Sequence, residues 1–150
     1  MLHPNQFRVN DAWIAFRLNK VPIPTREDGE LRFIALMDAA SCFLLSAVPT
    51  PFATPLSRDE EARELFHKAW VHKETWPSNL FVSVEEPLGN LENYASAIGI
   101  NIIHVPLVQL TLFIQDAQEG FAEHFGLGKP RGRQISASQI VRARKWVKPN

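Results

Sequence analysis

The sequence predicts one α/β domain on a five-stranded mixed sheet, three antiparallel strands followed by parallel ones, with helices packed on it. Three observations lead there. Ser78 to Pro106 reads strand, short helix, strand: an apolar run Leu80 to Val84, a helical pattern, then a second apolar run Ile100 to Val105. Two buried-type strands joined by a helix imply a right-handed crossover and a parallel pair. Leu31 to Met37 and Cys42 to Val48 flank Asp38-Ala39-Ala40-Ser41, a hairpin-like and therefore antiparallel arrangement. Between these halves, Ser57-Arg58-Asp59-Glu60 is a capping box that opens an amphipathic helix.

In chain order, Ala12 to Leu18 has the aromatic and branched residues of a first strand. Asn19 to Glu30 reads as a connection, with Pro22, Pro24 and an Asp28-Gly29 turn signal. The hairpin strands follow, and then Pro49 to Pro55, whose three prolines cannot extend a central strand. The next helix carries Ala62, Leu65, Phe66, Ala69 and Trp70 as one apolar stripe. Acids fill its first turn, and Lys68, His72 and Lys73 lie near its end, as the helix dipole prefers. The short helix after the Leu80–Val84 strand presents Leu91, Tyr94, Ala95 and Ile98, and Gly99 suits a left-handed cap. Pro106 can open the last helix, whose core face is Leu107, Leu110, Thr111, Ile114, Ala117, Phe121 and Phe125. Gly126 ends it. Residues 1–126 then form the domain and residues 127–150 a tail with one short amphipathic helix.

Composition agrees with a folded chain: 45% hydrophobic, 21% charged, ten Phe and four Trp in 150 residues. That length is enough for one domain with a real core. The single cysteine, Cys42, excludes an internal disulfide and a cysteine-rich metal site, and inside an apolar run it reads as a small buried hydrophobe. No apolar run approaches a membrane span and none at the N-terminus has signal-peptide length, so a cytoplasmic, reducing location is expected. The formal charge of zero hides an asymmetry. Residues 1–125 hold nine Lys/Arg against all sixteen Asp/Glu, a balance of −7, and residues 126–150 hold seven Lys/Arg and no acid, +7.

The candidate site residues follow from this order. In open α/β sheets, ligands collect beyond the carboxyl ends of the strands, where Glu85 and Glu86 stand. Binding a metal, acting as an acid–base pair and staying solvated at the strand end are all open to them, although neighbours on a strand point to opposite faces. Asp38 in its turn is read as bonding its own backbone. Asp116, Glu119 and Glu123 share one face of the last helix by spacing. His3, His67, His72, His104 and His124 match no zinc pattern, and only His104 lies near the expected edge. Ser83 and Ser96 lack the flanking glycines of a nucleophile elbow. In the tail, Lys129, Arg131, Arg133, Arg142, Arg144 and Lys145, with Trp146 among them, suit phosphates and a stacked base of DNA or RNA.

The order strand, strand, strand, helix, strand, helix, strand, helix resembles the ribonuclease H-like fold, and details resemble the catalytic core of transposases and retroviral-type integrases. The likeness covers residues 4–125. Pro4-Asn5-Gln6-Phe7-Arg8-Val9-Asn10-Asp11 is similar to the segment introducing that family's first catalytic aspartate. Phe33 to Ser41 resembles its second strand and turn, and Leu80 to Glu86 the strand ending in its second aspartate. The resemblance implies three carboxylates holding two divalent ions, Mg or Mn, which clamp the entering and leaving oxygens of a phosphoryl displacement. On this chain they would be Asp11, Glu85 or Glu86, and Glu119. The departures are specific. The strand centre Ile14-Ala15-Phe16-Arg17 has no acid, two glutamates replace aspartate-asparagine-glycine, and the proline-asparagine-glycine approach to the third acid is missing.

Three expectations result. The first is a non-catalytic ribonuclease H-like domain, without cofactor, acting as a nucleic-acid-associated binding or regulatory module through its basic tail. The second is a metal-dependent nuclease or strand-transferase using the carboxylates named above. The third is an interaction protein whose tail helix buries Ile140, Val141 and Trp146 in a homodimer.

Overall fold

The computed structural model describes residues 2–26, 29–51 and 59–124. The Ser57 half of the capping box, Asp28, Phe125, Gly126 and the tail lie outside the described residues. A 3-10 turn at Pro4–Gln6 precedes β1 (Ala12–Arg17), β2 (Ile23–Pro24), β3 (Glu30–Asp38) and β4 (Leu44–Pro51). There follow α1 (Asp59–Lys73), β5 (Asn79–Ser83), α2 (Asn90–Ala97), β6 (Asn101–Val105), a 3-10 turn at Leu107–Leu110, and α3 (Thr111–His124).

β1 and β3 pair antiparallel, as do β3 and β4, whereas β1–β5 and β5–β6 are parallel. The mixed sheet expected from the sequence is therefore the one found, with a sixth strand added. That strand, β2, lies in the connection read as a turn. Ile34 pairs with Arg17 on one side and Val48 on the other, and Leu31 with Ile23 and Pro51, so β2 shares the β1 edge of β3. Its cause is a side chain. Asn19, only 2% exposed, donates to the carbonyls of Val21 and Leu31 at 2.7 and 3.1 Å and accepts from Phe33 N at 2.7 Å. This clamps the connection against β3. β4 runs on through Pro49 to Pro51 because it is an outer strand. Two prolines two residues apart put both missing donors on one edge, and an outer strand can leave that edge without a partner.

Alternation along the strands builds two cores. Ala12, Ile14, Phe16, Phe33, Ala35, Met37 and Phe81 face α3, against Phe113, Ile114 and Phe121. Trp13, Ala15, Ile34, Leu36, Leu80 and Val82 face α1 and α2, against Ala62, Leu65, Phe66, Ala69, Leu91 and Ala95. The sheet is thus the middle of three layers. The α1 stripe holds except at Trp70, which is 37% exposed and leans on Trp76 with ring centroids 6.4 Å apart. On α3 Thr111 is exposed and Phe113 is buried in its stead, because the helix is entered through a 3-10 turn that rotates the buried stripe. Gly99 does cap α2, at φ +90, with Ile100 N donating to Ala95 O at 3.0 Å.

Candidate functional site: the carboxyl ends of β1 and β5

β1 and β5 run side by side in the same direction, so their ends define two opposite edges. Their register pairs Ala12 with Asn79, Trp13 with Leu80 and Ile14 with Phe81. Asp11 immediately precedes β1 and lies at the amino edge. Its carboxylate accepts from Arg8 N at 3.1 Å, and its carbonyl accepts from Ser78 N at 3.1 Å. Six residues on, at about 3.3 Å each, the carboxyl edge is roughly 20 Å away. Glu85 and Glu86 are at that far edge. Asp11 cannot share a metal pair with them, and the expected Asp11, Glu85/Glu86, Glu119 set is not brought together.

Asp38 joins Asp11 at the amino edge, since Trp13 pairs with Asp38. It is fully buried and accepts three hydrogen bonds: Asn10 N at 2.6 Å, Ser41 N at 2.9 Å and Ser41 Oγ at 2.8 Å. The local turn bonding read from the sequence is present, and a contact to Asn10 is added. This ties the entry to β1 onto the β3–β4 hairpin.

The carboxyl edge is built differently. β5 ends at Ser83, so Glu85 and Glu86 stand in the following turn rather than on the strand. Glu85 Oε2 accepts from Ser83 Oγ at 2.6 Å and from Leu107 N at 2.7 Å, and Ser83 Oγ accepts from Glu85 N at 3.1 Å. Leu107 N is a first-turn donor of the 3-10 segment after Pro106, which has no partner within its own turn. Glu85 is its cap. The Ser83 hydroxyl, and then the Leu107 amide, hold the Glu85 carboxyl below the usual carboxylate range.

Glu86 turns to β1. Its Oε2 lies 3.7 Å from Arg17 Nε. The carbonyl of Arg17 in turn accepts from Gln118 Nε2 of α3 at 2.8 Å. Arg17, Glu86 and Gln118, with Ala15, Phe16, Ser83 and Ile114, surround a cavity of only about 10 Å³. The nearby Glu92 accepts from Leu88 N at 2.8 Å and lies 2.6 Å from His104 Nε2. Every acid at this edge therefore has a protein partner. Arg17 and Gln118 were not among the residues nominated from the sequence. The available signal was the arginine ending an otherwise apolar strand, Ile14-Ala15-Phe16-Arg17.

The remaining candidates are dispersed. Glu119 is one residue, about 100° of helix, beyond Gln118; it is exposed and accepts from Gln115 Nε2 at 3.1 Å. Glu123 is exposed, and Asp116 lines an open groove of about 500 Å³ beside Cys42, Leu44 and Leu112. Cys42 is half-buried at φ +57 rather than an interior residue. Burial first, then the charges of Asp38 and Asp116, push its thiol pKa up, which makes it a poor nucleophile. His67 lines a groove of about 520 Å³ with Trp70, Trp76 and Tyr94, and His3 caps the first 3-10 turn. Among the described residues no three His, Cys, Asp or Glu are placed to hold a metal ion, and no helix is long and apolar enough to cross a membrane. Lys129, Arg131, Arg133, Arg142, Arg144, Lys145 and Trp146 lie outside the described residues.

No family model and no curated protein matches the sequence. Solved structures do match the fold. The catalytic core domain of HTLV-2 integrase in complex with magnesium, in its dimeric form, aligns at TM-score 0.56 and 9% identity, over 92% of this chain and 85% of that one. Its trimeric form aligns at 0.53 and 13% identity, over 91% and 83%. A chain of the simian T-cell lymphotropic virus intasome in complex with PP2A regulatory subunit B56 gamma aligns at 0.55 and 13% identity, over 91% of this chain. This chain spans about half of that one, 47%. The domain has the ribonuclease H-like fold of integrase catalytic cores. The likeness reaches the fold and stops there.

A two-metal centre of the kind that the fold implies does not fit the residues present. It needs carboxylates converging on ions about 3.5–4 Å apart. Where β1, β5 and α3 meet, this chain supplies a guanidinium, an ion-paired carboxylate and an amide.

Proposed function

We propose that this protein is a non-catalytic ribonuclease H-like module that associates with nucleic acid through its basic C-terminal segment. One observation carries the non-catalytic half: Arg17, Glu86 and Gln118 meet at the carboxyl edge, and Asp11 stands at the other end of β1. The charge division supports the other half. A body at −7 repels phosphates, whereas seven cations and Trp146 in residues 126–150 attract them and stack on a base. A regulatory or architectural role follows, with the folded domain as carrier and the tail as the contact. The setting is taken as reducing and cytoplasmic, in keeping with a single cysteine in the sequence.

The test compares the full chain with an Arg142→Gln/Arg144→Gln/Lys145→Gln variant for binding to short duplex and single-stranded DNA and RNA across a salt series. Each phosphate contact contributes about 0.9 to the log–log salt slope on duplex DNA, so the variant's slope falls by roughly 2–3. Equal affinity and slope for both proteins would remove the reading. Sedimentation of the full chain and of a Trp146→Ala variant addresses the homodimer alternative, in which Trp146→Ala dissociates a dimer and nucleic acid has no effect. The metal-dependent nuclease alternative predicts cleavage of these substrates with Mg or Mn.

A further inference from the structure

We propose that the guanidinium of Arg17 stands where a catalytic relative would hold divalent cations, and that it closes this edge to metal ions. The inference rests on the non-catalytic reading above and gives it a cause. Glu86 of the β5 turn lies 3.7 Å from the Arg17 guanidinium, and Gln118 of α3 donates to the backbone carbonyl of Arg17, which holds the end of β1 against α3. The three elements that would each contribute a carboxylate instead contribute a cation, an anion and a neutral donor. Their charges cancel without an ion. A divalent cation approaching Glu86 must displace Arg17 and then sit against a like charge.

The remaining acids offer no substitute. Glu85 Oε2 is engaged by Ser83 Oγ and Leu107 N, and withdrawing it uncaps the turn that leads into α3. Glu92 bridges Leu88 N and His104 across α2 and β6. Space adds an independent constraint. A cavity of about 10 Å³ has room for about one water molecule, not for two hydrated ions. Nucleic-acid association by this protein therefore needs no Mg2+ at the sheet edge, and it persists in the presence of a chelator.

The test is a Mn2+ titration of the ¹⁵N-labelled full chain, read by paramagnetic broadening. The expected result is no selective broadening of the amides of residues 15–17, 83–88 and 114–118 with Mn2+ in molar excess. Arg17→Asp/Gln118→Glu is expected to create a site: selective broadening there, a melting temperature that rises with Mn2+, and binding at least about tenfold tighter, because the charge beside the ion changes sign. Arg17→Gln, a neutral replacement of similar length, should move in the same direction by less, and it serves if the double variant does not fold. Selective broadening in the unaltered chain overturns the proposal, as does a folded Arg17→Asp/Gln118→Glu variant with no gain. Plasmid cleavage is followed in the same samples. Edge binding without cleavage removes the Arg17 closure alone, and cleavage by the unaltered chain removes the non-catalytic reading with it. Loss of the tail's nucleic-acid affinity bears on neither result.

Discussion

The two ends of β1 use carboxylates in opposite ways. At the amino end, Asp38 is sealed from solvent and accepts three short hydrogen bonds that join Asn10 to the β3–β4 hairpin. At the carboxyl end, Glu85 and Glu86 are solvent-accessible and each is held by one or two partners. A buried acid without partners would be costly, so the amino end is satisfied completely. An exposed acid needs no such satisfaction, yet Glu85 and Glu86 are engaged as well. In a catalytic edge, accessible acids stay available for a ligand. Here the protein's own groups engage both acids.

The largest expected effect strikes the amino end. Asp38→Ala leaves Asn10 N, Ser41 N and Ser41 Oγ without their acceptor, each worth about 1–3 kcal/mol when buried. Because these donors are partly reachable by water, a total loss of about 3–4 kcal/mol is expected in urea unfolding. Asp38→Asn keeps one acceptor and loses about half of that. A loss below about 1 kcal/mol would mean that the knot is wet and that the contrast between the two ends fails.

Gln118→Ala comes next. It removes the one side chain of α3 that bonds to Arg17 O, a part-buried contact worth about 1 kcal/mol. Deletion of the neighbouring Glu119 carboxylate, in Glu119→Gln, should stay within about 0.5 kcal/mol, as expected for an exposed position. Equal losses at 118 and 119 would place both residues on the same footing and blur the definition of the edge.

Glu85 sharpens the comparison through pH. Its folded pKa is depressed by the Ser83 hydroxyl and the Leu107 amide, so its contribution is present above the unfolded carboxylate pKa, near 4.5. That contribution is lost as pH falls through the folded value. Unfolding of the full chain and of Glu85→Gln should therefore differ near neutral pH and converge in acid. A difference that grows on acidification would reverse the sign and remove Glu85 as the cap of the 3-10 turn.

Much of the fold could be read from sequence because strand periodicity and turn residues are local signals. The Ser78–Pro106 unit, the Asp38–Ser41 hairpin connection and Gly99 each declared themselves within a few residues. β2 did not, because it exists through Asn19 reaching across to Leu31 and Phe33. Trp70 fitted the α1 stripe by spacing and still lies partly open, since its position relative to Trp76 depends on packing rather than on period. The site was less legible than the fold. Glu85 and Glu86 were placed at the correct edge by strand direction alone. Asp11 was matched by motif to an edge that it does not occupy, because the register of β1 against β5 is not written in either strand. Gln118 bonds Arg17 across 101 residues, a separation that no local pattern spans.

The smallest expected effect tests the ion pair itself. Arg17 and Glu86 are roughly a quarter to a third exposed and 3.7 Å apart, so water and salt screen them. Arg17→Gln or Glu86→Gln alone should cost only about 0.5 kcal/mol, and the double substitution scarcely more, since the second change removes a partner already lost. Added salt should shrink the single losses further. A coupling well above about 1 kcal/mol in this cycle would mean that the pair is dry and acts as a structural staple like Asp38. The weak coupling expected here fits the role proposed for Arg17, which is to hold a place by charge while contributing little stability. A residue that adds so little to folding can be replaced without losing the domain, which is why the metal-binding variants at Arg17 are informative.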